Sequence, residues 1–88
     1  MKTVLIYELA QDGLRKMQTQ DDAHSDWLDT FYTRGLLLMA GLFANPADGY
    51  MSVFSSREAA EEFVQGDPFV AEGLVSSWVL RDWDEVLS

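Results

Sequence analysis

Apolar and polar positions along the chain follow two periods, one of two residues and one of about 3.6. Strand-like segments alternate and are rich in β-branched and aromatic residues, whereas helix-like segments place apolar residues three and four positions apart. The predicted order is strand 3–9, helix 21–34, strand 36–43, strand 50–54, helix 55–66 and strand 75–83. The stretch 36–43 is a continuous apolar run, consistent with a strand buried on both sides. Periodicity alone does not exclude a helix here, but the position between two turn signals favours a strand. The stretch 14–20 is polar and fits neither period, so its structure stays open.

Turn and capping residues mark the boundaries of these segments. Ser55 followed by Glu58 predicts a capping box at the start of the second helix. Asp67 and Pro68 then predict a further turn of helix, with Asp67 as its N-cap. Residues 45–49, Asn-Pro-Ala-Asp-Gly, predict the turn of a hairpin between the two middle strands.

The order strand, helix, strand, strand, helix, strand is the split βαβ arrangement of ferredoxin-like folds. We therefore predict an α+β fold in which two helices cover one face of a four-stranded antiparallel sheet. The 88 residues can hold one hydrophobic core, so residues 1–88 are expected to form a single domain.

The second face of that sheet is predicted to be apolar. Tyr50, Trp78 and Trp83, with the apolar run 36–43, supply more hydrophobic residues than one covered face absorbs. The chain has no cysteine, so no disulfide supplements its small core. We therefore expect a homodimer in which two sheets pack face to face as an α/β barrel.

Composition and charge argue against several classes of function. Fifteen acidic residues against six basic ones give a net charge of −9, which opposes contact with nucleic-acid phosphates. One histidine and no cysteine cannot supply a structural zinc site, and no spacing matches a calcium loop. The apolar run near the N-terminus is too short for a membrane span or a signal peptide. We expect a cytoplasmic protein that binds no nucleic acid, no membrane and no metal.

Several motifs follow one another from the first predicted helix to the last strand. They are His24, Gly35, Met39-Ala40-Gly41, Gly49-Tyr50-Met51-Ser52-Val53-Phe54, Ala59-Ala60-Glu61-Glu62-Phe63, Asp67-Pro68-Phe69-Val70, Trp78, Arg81 and Trp83. In this order and spacing the chain resembles the YCII family over nearly its whole length. It departs from the family pattern at Leu42, where proline is common, and its basic residues before the histidine are Arg15 and Lys16.

The resemblance implies a dimeric ferredoxin-like α/β barrel with a paired His and Asp in a pocket, proposed as an acid–base dyad. Carried over to this sequence, the pair is His24 and Asp67. Relatives include enzymes that resemble muconolactone isomerases and dehydrochlorinases of aromatic degradation. The implied activity is that of a small lyase or isomerase, acting without a cofactor on a small organic substrate such as a cyclic or halogenated one.

His24 is a candidate general acid or base, because imidazole titrates near neutral pH. Asp67 would then fix the tautomer of the imidazole, and Tyr7 on the first strand is a candidate hydrogen-bond donor to an oxyanion. Each residue also has a structural interpretation, as a packing histidine, a helix N-cap and a cross-strand tyrosine. The residues alone leave two hypotheses open: an enzyme, or a non-catalytic dimeric module that binds a small ligand or assists a larger pathway.

Overall fold

The computed structural model describes residues 1–19 and 21–87, and Gln20 and Ser88 lie outside the described residues. In chain order the elements are β1 (Lys2–Leu9), α1 (Gly13–Thr19), α2 (Asp21–Thr33), β2 (Leu37–Leu42), a 3₁₀ helix (Pro46–Asp48), β3 (Tyr50–Phe54), α3 (Arg57–Gly66), α4 (Pro68–Ala71) and β4 (Val75–Trp83). The stretch that the pattern left open is therefore helical as far as Thr19. None of these helices is long and apolar enough to cross a membrane.

The four strands form one antiparallel sheet in the order β2-β3-β1-β4. Each of the two longer helices, α2 and α3, connects strands that are not neighbours in the sheet: β1 to β2, and β3 to β4. This is the βαββαβ arrangement, so the predicted α+β, ferredoxin-like fold is confirmed.

Helices lie against one side of the sheet, which we call the covered face. It is defined by the buried residues Thr3, Leu5, Tyr7, Tyr50, Ser52 and Phe54. Phe63 of α3 packs on Phe54 with ring centres 5.0 Å apart, and Phe31 of α2 stands edge-on to Phe63 at 5.2 Å. Aromatic side chains from both helices and the sheet thus fill one core.

Gly66 allows α2 to come close to the end of α3. A Cβ at this position would lie 2.3 Å from a ring carbon of Trp27. The indole of Trp27 also donates its N–H to the carbonyl of Phe63 at 2.9 Å. This contact fixes the spacing between the helix that carries His24 and the residue that follows α3.

β2 is an edge strand, and not the doubly buried strand that its apolar run predicted. Its first residue, Leu37, is buried, but Met39, Ala40, Gly41 and Leu42 are exposed. Among the described strands only β3 pairs with β2, so β2 lies at the margin of the sheet, and Met39 and Gly41 project to the side opposite the helices. A continuous apolar run was therefore not evidence for burial on both faces.

The side of the sheet opposite the helices, the open face, is defined by Val4, Met39, Met51, Val53 and Trp83. These residues are among those that line an apolar cavity of about 350 Å³. Tyr50 and Trp78, which the sequence analysis counted toward the apolar surplus of the sheet, do not lie on this face. The sheet register pairs both residues with Tyr7, and directly paired residues project to the same face, here the covered one.

The start of α3 lies one residue later than predicted. Ser56, not Ser55, is the N-cap, since its Oγ accepts the N–H of Ala59 at 3.1 Å. The N–H of Ser55 instead donates to the carbonyl of Leu36 at 2.9 Å, which ties the end of β3 to the segment before β2. Asp67 is the N-cap of α4, as predicted.

Candidate active site

Three polar side chains that are distant in sequence meet between the helices and the covered face. Nδ1 of His24 lies 2.8 Å from Oδ1 of Asp67, across 43 positions of the chain. The hydroxyl of Tyr7 donates to Oδ2 of the same carboxylate at 2.6 Å. The structure therefore brings together all three residues singled out from the sequence. Each of them is at most 2% exposed to solvent.

Asp67 occupies the junction between α3 and α4, and the local sequence explains its orientation. Its backbone is extended (φ −69°, ψ 121°), so the chain turns there instead of continuing α3. Pro68 favours this turn, because the residue before proline is restricted to extended conformations. Oδ1 of Asp67 also accepts the N–H of Phe69 at 3.1 Å. One carboxylate thus caps α4 and contacts the histidine, so the capping and pairing interpretations are compatible.

The contacts of Asp67 define which nitrogen of His24 is free. An ionised carboxylate can only accept hydrogen bonds, so Nδ1 carries the proton in its contact with Oδ1. In a neutral imidazole the lone pair then lies on Nε2. Nε2 is buried and has no hydrogen-bond partner among the described residues. An oriented ring nitrogen with a free lone pair is the feature that general-base chemistry requires.

Tyr7 lies in the site but is engaged differently from the sequence-based expectation. That expectation was donation to a substrate oxyanion, whereas its hydroxyl is bound to Asp67. Burial, followed by the charge of the carboxylate, raises the pKa of the Tyr7 phenol far above its usual range. The phenol therefore remains a donor at neutral pH and restrains Asp67.

Aromatic rings enclose the imidazole of His24. Phe69 stacks on it with ring centres 3.5 Å apart and planes 7° from parallel. Tyr50 and Phe63 stand nearly perpendicular to it, at 5.7 Å and 6.3 Å. The stacking role of Phe69 was missed from the sequence. The signal was its place two residues after the N-cap Asp67, whose side chain bonds to the N–H at that position.

Ser52 is a second residue that the sequence reasoning missed. It is 1% exposed at the centre of the covered face, and its Oγ has no hydrogen-bond partner in the described part of the chain. The signal was a single serine in β3, Tyr-Met-Ser-Val-Phe, in which every other residue is apolar or aromatic.

Carboxylates are numerous in this protein, but those the structure describes are dispersed. Within residues 1–19 and 21–87 no three His, Cys, Asp or Glu side chains are grouped closely enough to hold a metal ion. The Asp67 carboxylate already accepts from Tyr7, His24 and Phe69. The described site thus contains a hydrogen-bonded histidine, aspartate and tyrosine, without a set of three metal ligands.

Solved structures with this fold carry different chemistries. The 5-chloro-2-hydroxyhydroquinone dehydrochlorinase TftG from Burkholderia phenoliruptrix AC1100, in complex with 2,5-dihydroxybenzoquinone, superposes with a TM-score of 0.76 at 18% identity, over 96% of this chain and 94% of its own. An antibiotic biosynthesis monooxygenase gives 0.56 at 9% identity, over 96% and 98%. A mutant of MhuD with two manganese protoporphyrin IX molecules bound per active site gives 0.55 at 12%, over 99% and 95%. At these identities the likeness shows a shared fold.

Comparison at the level of sequence identifies the family. No curated protein matches the chain significantly. The family model of the YCII-related domain matches residues 1–84, nearly the whole sequence. This protein therefore belongs to the family of the YCII-related domain.

Proposed function

We propose that this protein is a small-molecule lyase or isomerase in which His24 is the general base. The observation that carries the proposal is the orientation of the imidazole, with Nδ1 bound to Asp67 at 2.8 Å and Nε2 without a partner. Nε2 is then the atom that takes a proton from the substrate. By analogy of fold alone, the dehydrochlorinase makes the loss of HCl the first type of reaction to test.

The proposed reaction needs one proton acceptor and no exchange of electrons with a cofactor. Nε2 of His24 removes a proton from a ring hydroxyl of the substrate or from carbon next to a carbonyl. In the dehydrochlorination of a chlorinated hydroquinone, a hydroxyl proton is first passed to the adjacent ring carbon that bears chlorine, so that this carbon becomes saturated and its neighbour becomes a carbonyl. Nε2 then removes the proton of the hydroxyl para to that carbonyl, and the pair of this O–H bond forms a second C=O bond. A ring double bond shifts to the chlorinated carbon, and chloride leaves with the pair of the C–Cl bond. In an isomerisation the imidazolium instead returns the proton to another carbon of the substrate.

Asp67 and Tyr7 have supporting roles in this scheme. The imidazolium that forms is a buried cation, and burying a charge without a partner is costly. Oδ1 of Asp67 lies 2.8 Å from Nδ1, where it stabilises that cation. Tyr7 binds the other carboxylate oxygen, so Asp67 keeps its orientation while His24 changes its protonation state.

Release of chloride from 5-chloro-2-hydroxyhydroquinone tests the proposal directly. We expect His24→Gln and Asp67→Asn to lower kcat by about 10²-fold to 10⁴-fold while both variants remain folded, because each removes part of the general-base pair. Asp26→Asn is the matched control: it makes the same change at an exposed position of α2 and should keep full activity. A wild-type rate no higher than the uncatalysed one, on this compound and on its chlorine-free analogues, would contradict the proposal. So would an unchanged rate in His24→Gln.

The burial of the site favours one other candidate, a dimeric module that binds a small ligand without changing it. His24 and Asp67 are 2% and 1% exposed, as in a polar network that mainly supports a fold. Such a module would return 2,5-dihydroxybenzoquinone or a similar ligand unchanged. The effect of His24→Gln would then appear in the free energy of unfolding and not in turnover, so the same variant separates the two functions.

We also propose that a second copy of this chain covers the open face. Met39 is 62% exposed and Trp83 is 45% exposed, beside the apolar cavity of about 350 Å³. An apolar patch of this kind on a small domain favours self-association. Sedimentation equilibrium should give twice the 10.0 kDa chain mass at micromolar concentration.

Met39→Asp should shift that equilibrium to the monomer, because it places a charge within the proposed apolar contact. Val86→Asp makes the same type of change at a residue 95% exposed outside the sheet, and it should remain dimeric. A wild-type protein that is monomeric under these conditions would contradict the dimer.

A further inference from the structure

Two polar atoms of the covered layer are buried without a partner among the described residues: Nε2 of His24 and Oγ of Ser52. Neither residue exceeds 2% exposure, so bulk water does not satisfy them. Buried polar atoms in folded proteins are nearly always hydrogen-bonded, and exceptions often mark a bound ligand, an ordered water or a catalytic role.

The two atoms belong to one compartment. Ser52 lies on β3 between Tyr50 and Phe54, which project to the same face. The imidazole of His24 is 5.7 Å from Tyr50 and 6.3 Å from Phe63, and Phe63 is 5.0 Å from Phe54. The histidine is therefore linked, through one cluster of aromatic rings, to the two residues of β3 that flank Ser52 on this face.

A cavity at the edge of the sheet adjoins this compartment. It has a volume of about 240 Å³ and lies between α2 and β2, with Leu28 and Ala40 among its lining residues. Leu28 is one helical turn after His24, and Ala40 is the direct register partner of Ser52. Alanine has a small side chain, so we take this edge at β2 as the approach to the serine.

We propose that Ser52 contacts the substrate, with its Oγ and Nε2 of His24 binding the same hydroxyl group of a compact phenol or enol. The inference rests on the proposed function and names its substrate class. Nε2 can only accept in this tautomer, so the ligand hydroxyl donates to it, while the same oxygen accepts the O–H of Ser52. When the O–H bond of the ligand breaks and the N–H bond forms, the oxygen becomes an oxyanion.

The hydrogen bond from Ser52 then strengthens, because its acceptor has gained a charge in a medium of low dielectric constant. Ser52 thereby fills the role of oxyanion donor that the sequence suggested for Tyr7, whose hydroxyl is occupied by Asp67. Since the serine touches the reacting oxygen in this scheme, it is proposed as a catalytic residue.

Ser52→Ala tests the proposal with 2,5-dihydroxybenzoquinone as the probe. We expect the affinity for the probe, measured by calorimetric titration, to fall about tenfold, which corresponds to one hydrogen bond. The Tm of the ligand-free variant should be equal or higher, because an unpartnered buried hydroxyl is removed. Ser55→Ala, the same change at an exposed serine just after β3, should alter neither quantity.

Three outcomes would overturn the role of Ser52. One is a Ser52→Ala protein with a lower Tm and unchanged affinity, since the hydroxyl would then be structural. Another is loss of probe binding in His24→Gln but not in Ser52→Ala. This result would support His24 as the base and would refute the role of Ser52 in binding. The third is a crystal structure of the free wild-type protein in which Oγ of Ser52 is bonded to another protein group; a water or probe oxygen within reach of both Oγ and Nε2 would support the proposal.

Discussion

The two faces of the sheet differ in which side chains they bury: polar groups are buried beneath the helices, whereas apolar side chains of the open face are partly exposed. On the covered face, Tyr7 and Asp67 are 1% exposed and bonded to each other in an aromatic layer. On the open face, Met39 and Trp83 remain largely exposed and apolar. The helices therefore create the enclosed layer of low dielectric constant in which an oriented imidazole can work. The other face has no such cover and is suited to association.

Removal of the Asp67 side chain should break this contrast most strongly. In Asp67→Ala the groups that now bind the carboxylate, on Tyr7, His24 and Phe69, all lose their acceptor inside the protein. We expect the free energy of unfolding to fall by about 3–5 kcal/mol, as when one partner of a buried pair is removed. Urea unfolding of the variant beside Asp67→Asn, which keeps an acceptor for the cap, measures this. A loss below about 1 kcal/mol would mean that the cluster is not cooperative.

Two truncations on a single strand compare burial with exposure. Leu37→Ala should cost about 2–5 kcal/mol, because Leu37 is 3% exposed and belongs to the main core. Met39→Ala should change the free energy of unfolding by about 0.5 kcal/mol or less when it is measured on monomeric protein. Equal losses in the two variants would mean that the open face is packed within one chain.

The Tyr7 hydroxyl should show a distinctive dependence of stability on pH. Tyr7→Phe leaves Oδ2 of Asp67 without its donor, and we expect a loss of about 1.5–3 kcal/mol at neutral pH. Above pH about 10 an unfolded tyrosine loses its proton while folded Tyr7, whose pKa is raised by burial, keeps it. The contribution is therefore complete below pH 10 and declines above it, by about 1.4 kcal/mol per pH unit.

Tyr7→Phe should remove that decline in the free energy of unfolding. The other two tyrosines are present in both the wild-type protein and the variant, so they contribute equally to the two pH dependences. Parallel stability curves for the two proteins from pH 9 to pH 11 would contradict the assignment.

Glycine substitutions test how tightly the helices cover their face. Gly66→Ala should destabilise by about 1–3 kcal/mol, since its Cβ would lie 2.3 Å from the indole of Trp27. Gly41→Ala on β2 is the control, because a Cβ there has no neighbour within 4 Å. Thermal unfolding of both variants checks this. An unchanged Tm in Gly66→Ala would show that the contact between α2 and α3 adjusts to the added Cβ at little cost in stability.

The sequence predicted the four strands and the helices α2, α3 and α4 in their order because local patterns encode them, whereas the polar stretch that forms α1 was left open. Asp67 and Pro68 predicted the junction between α3 and α4, and the predicted bounds of the strand Tyr50–Phe54 agree with the structure. The position of β2 at the edge of the sheet depends on topology, so an apolar run could not reveal its exposure.

For the site, the sequence named His24, Asp67 and Tyr7 and predicted the contact between His24 and Asp67, but it missed Phe69, Ser52 and the bond from Tyr7 to Asp67. The resemblance supplied His24 and Asp67, whereas the partner of Tyr7 depends on the distance across the core, which no local pattern encodes. The missing partner of Ser52 likewise becomes visible only when the helices are placed over β3.

Nitrogen-15 NMR of the imidazole tests the central claim most directly, because the chain contains one histidine and its signals need no assignment by mutation. We expect neutral His24 to carry its proton on Nδ1, bonded to Asp67, and to have an unprotonated Nε2. Asp67→Ala should abolish this preference. A proton on Nε2 in the neutral wild-type protein would contradict the account, since His24 would then have no free lone pair facing a substrate.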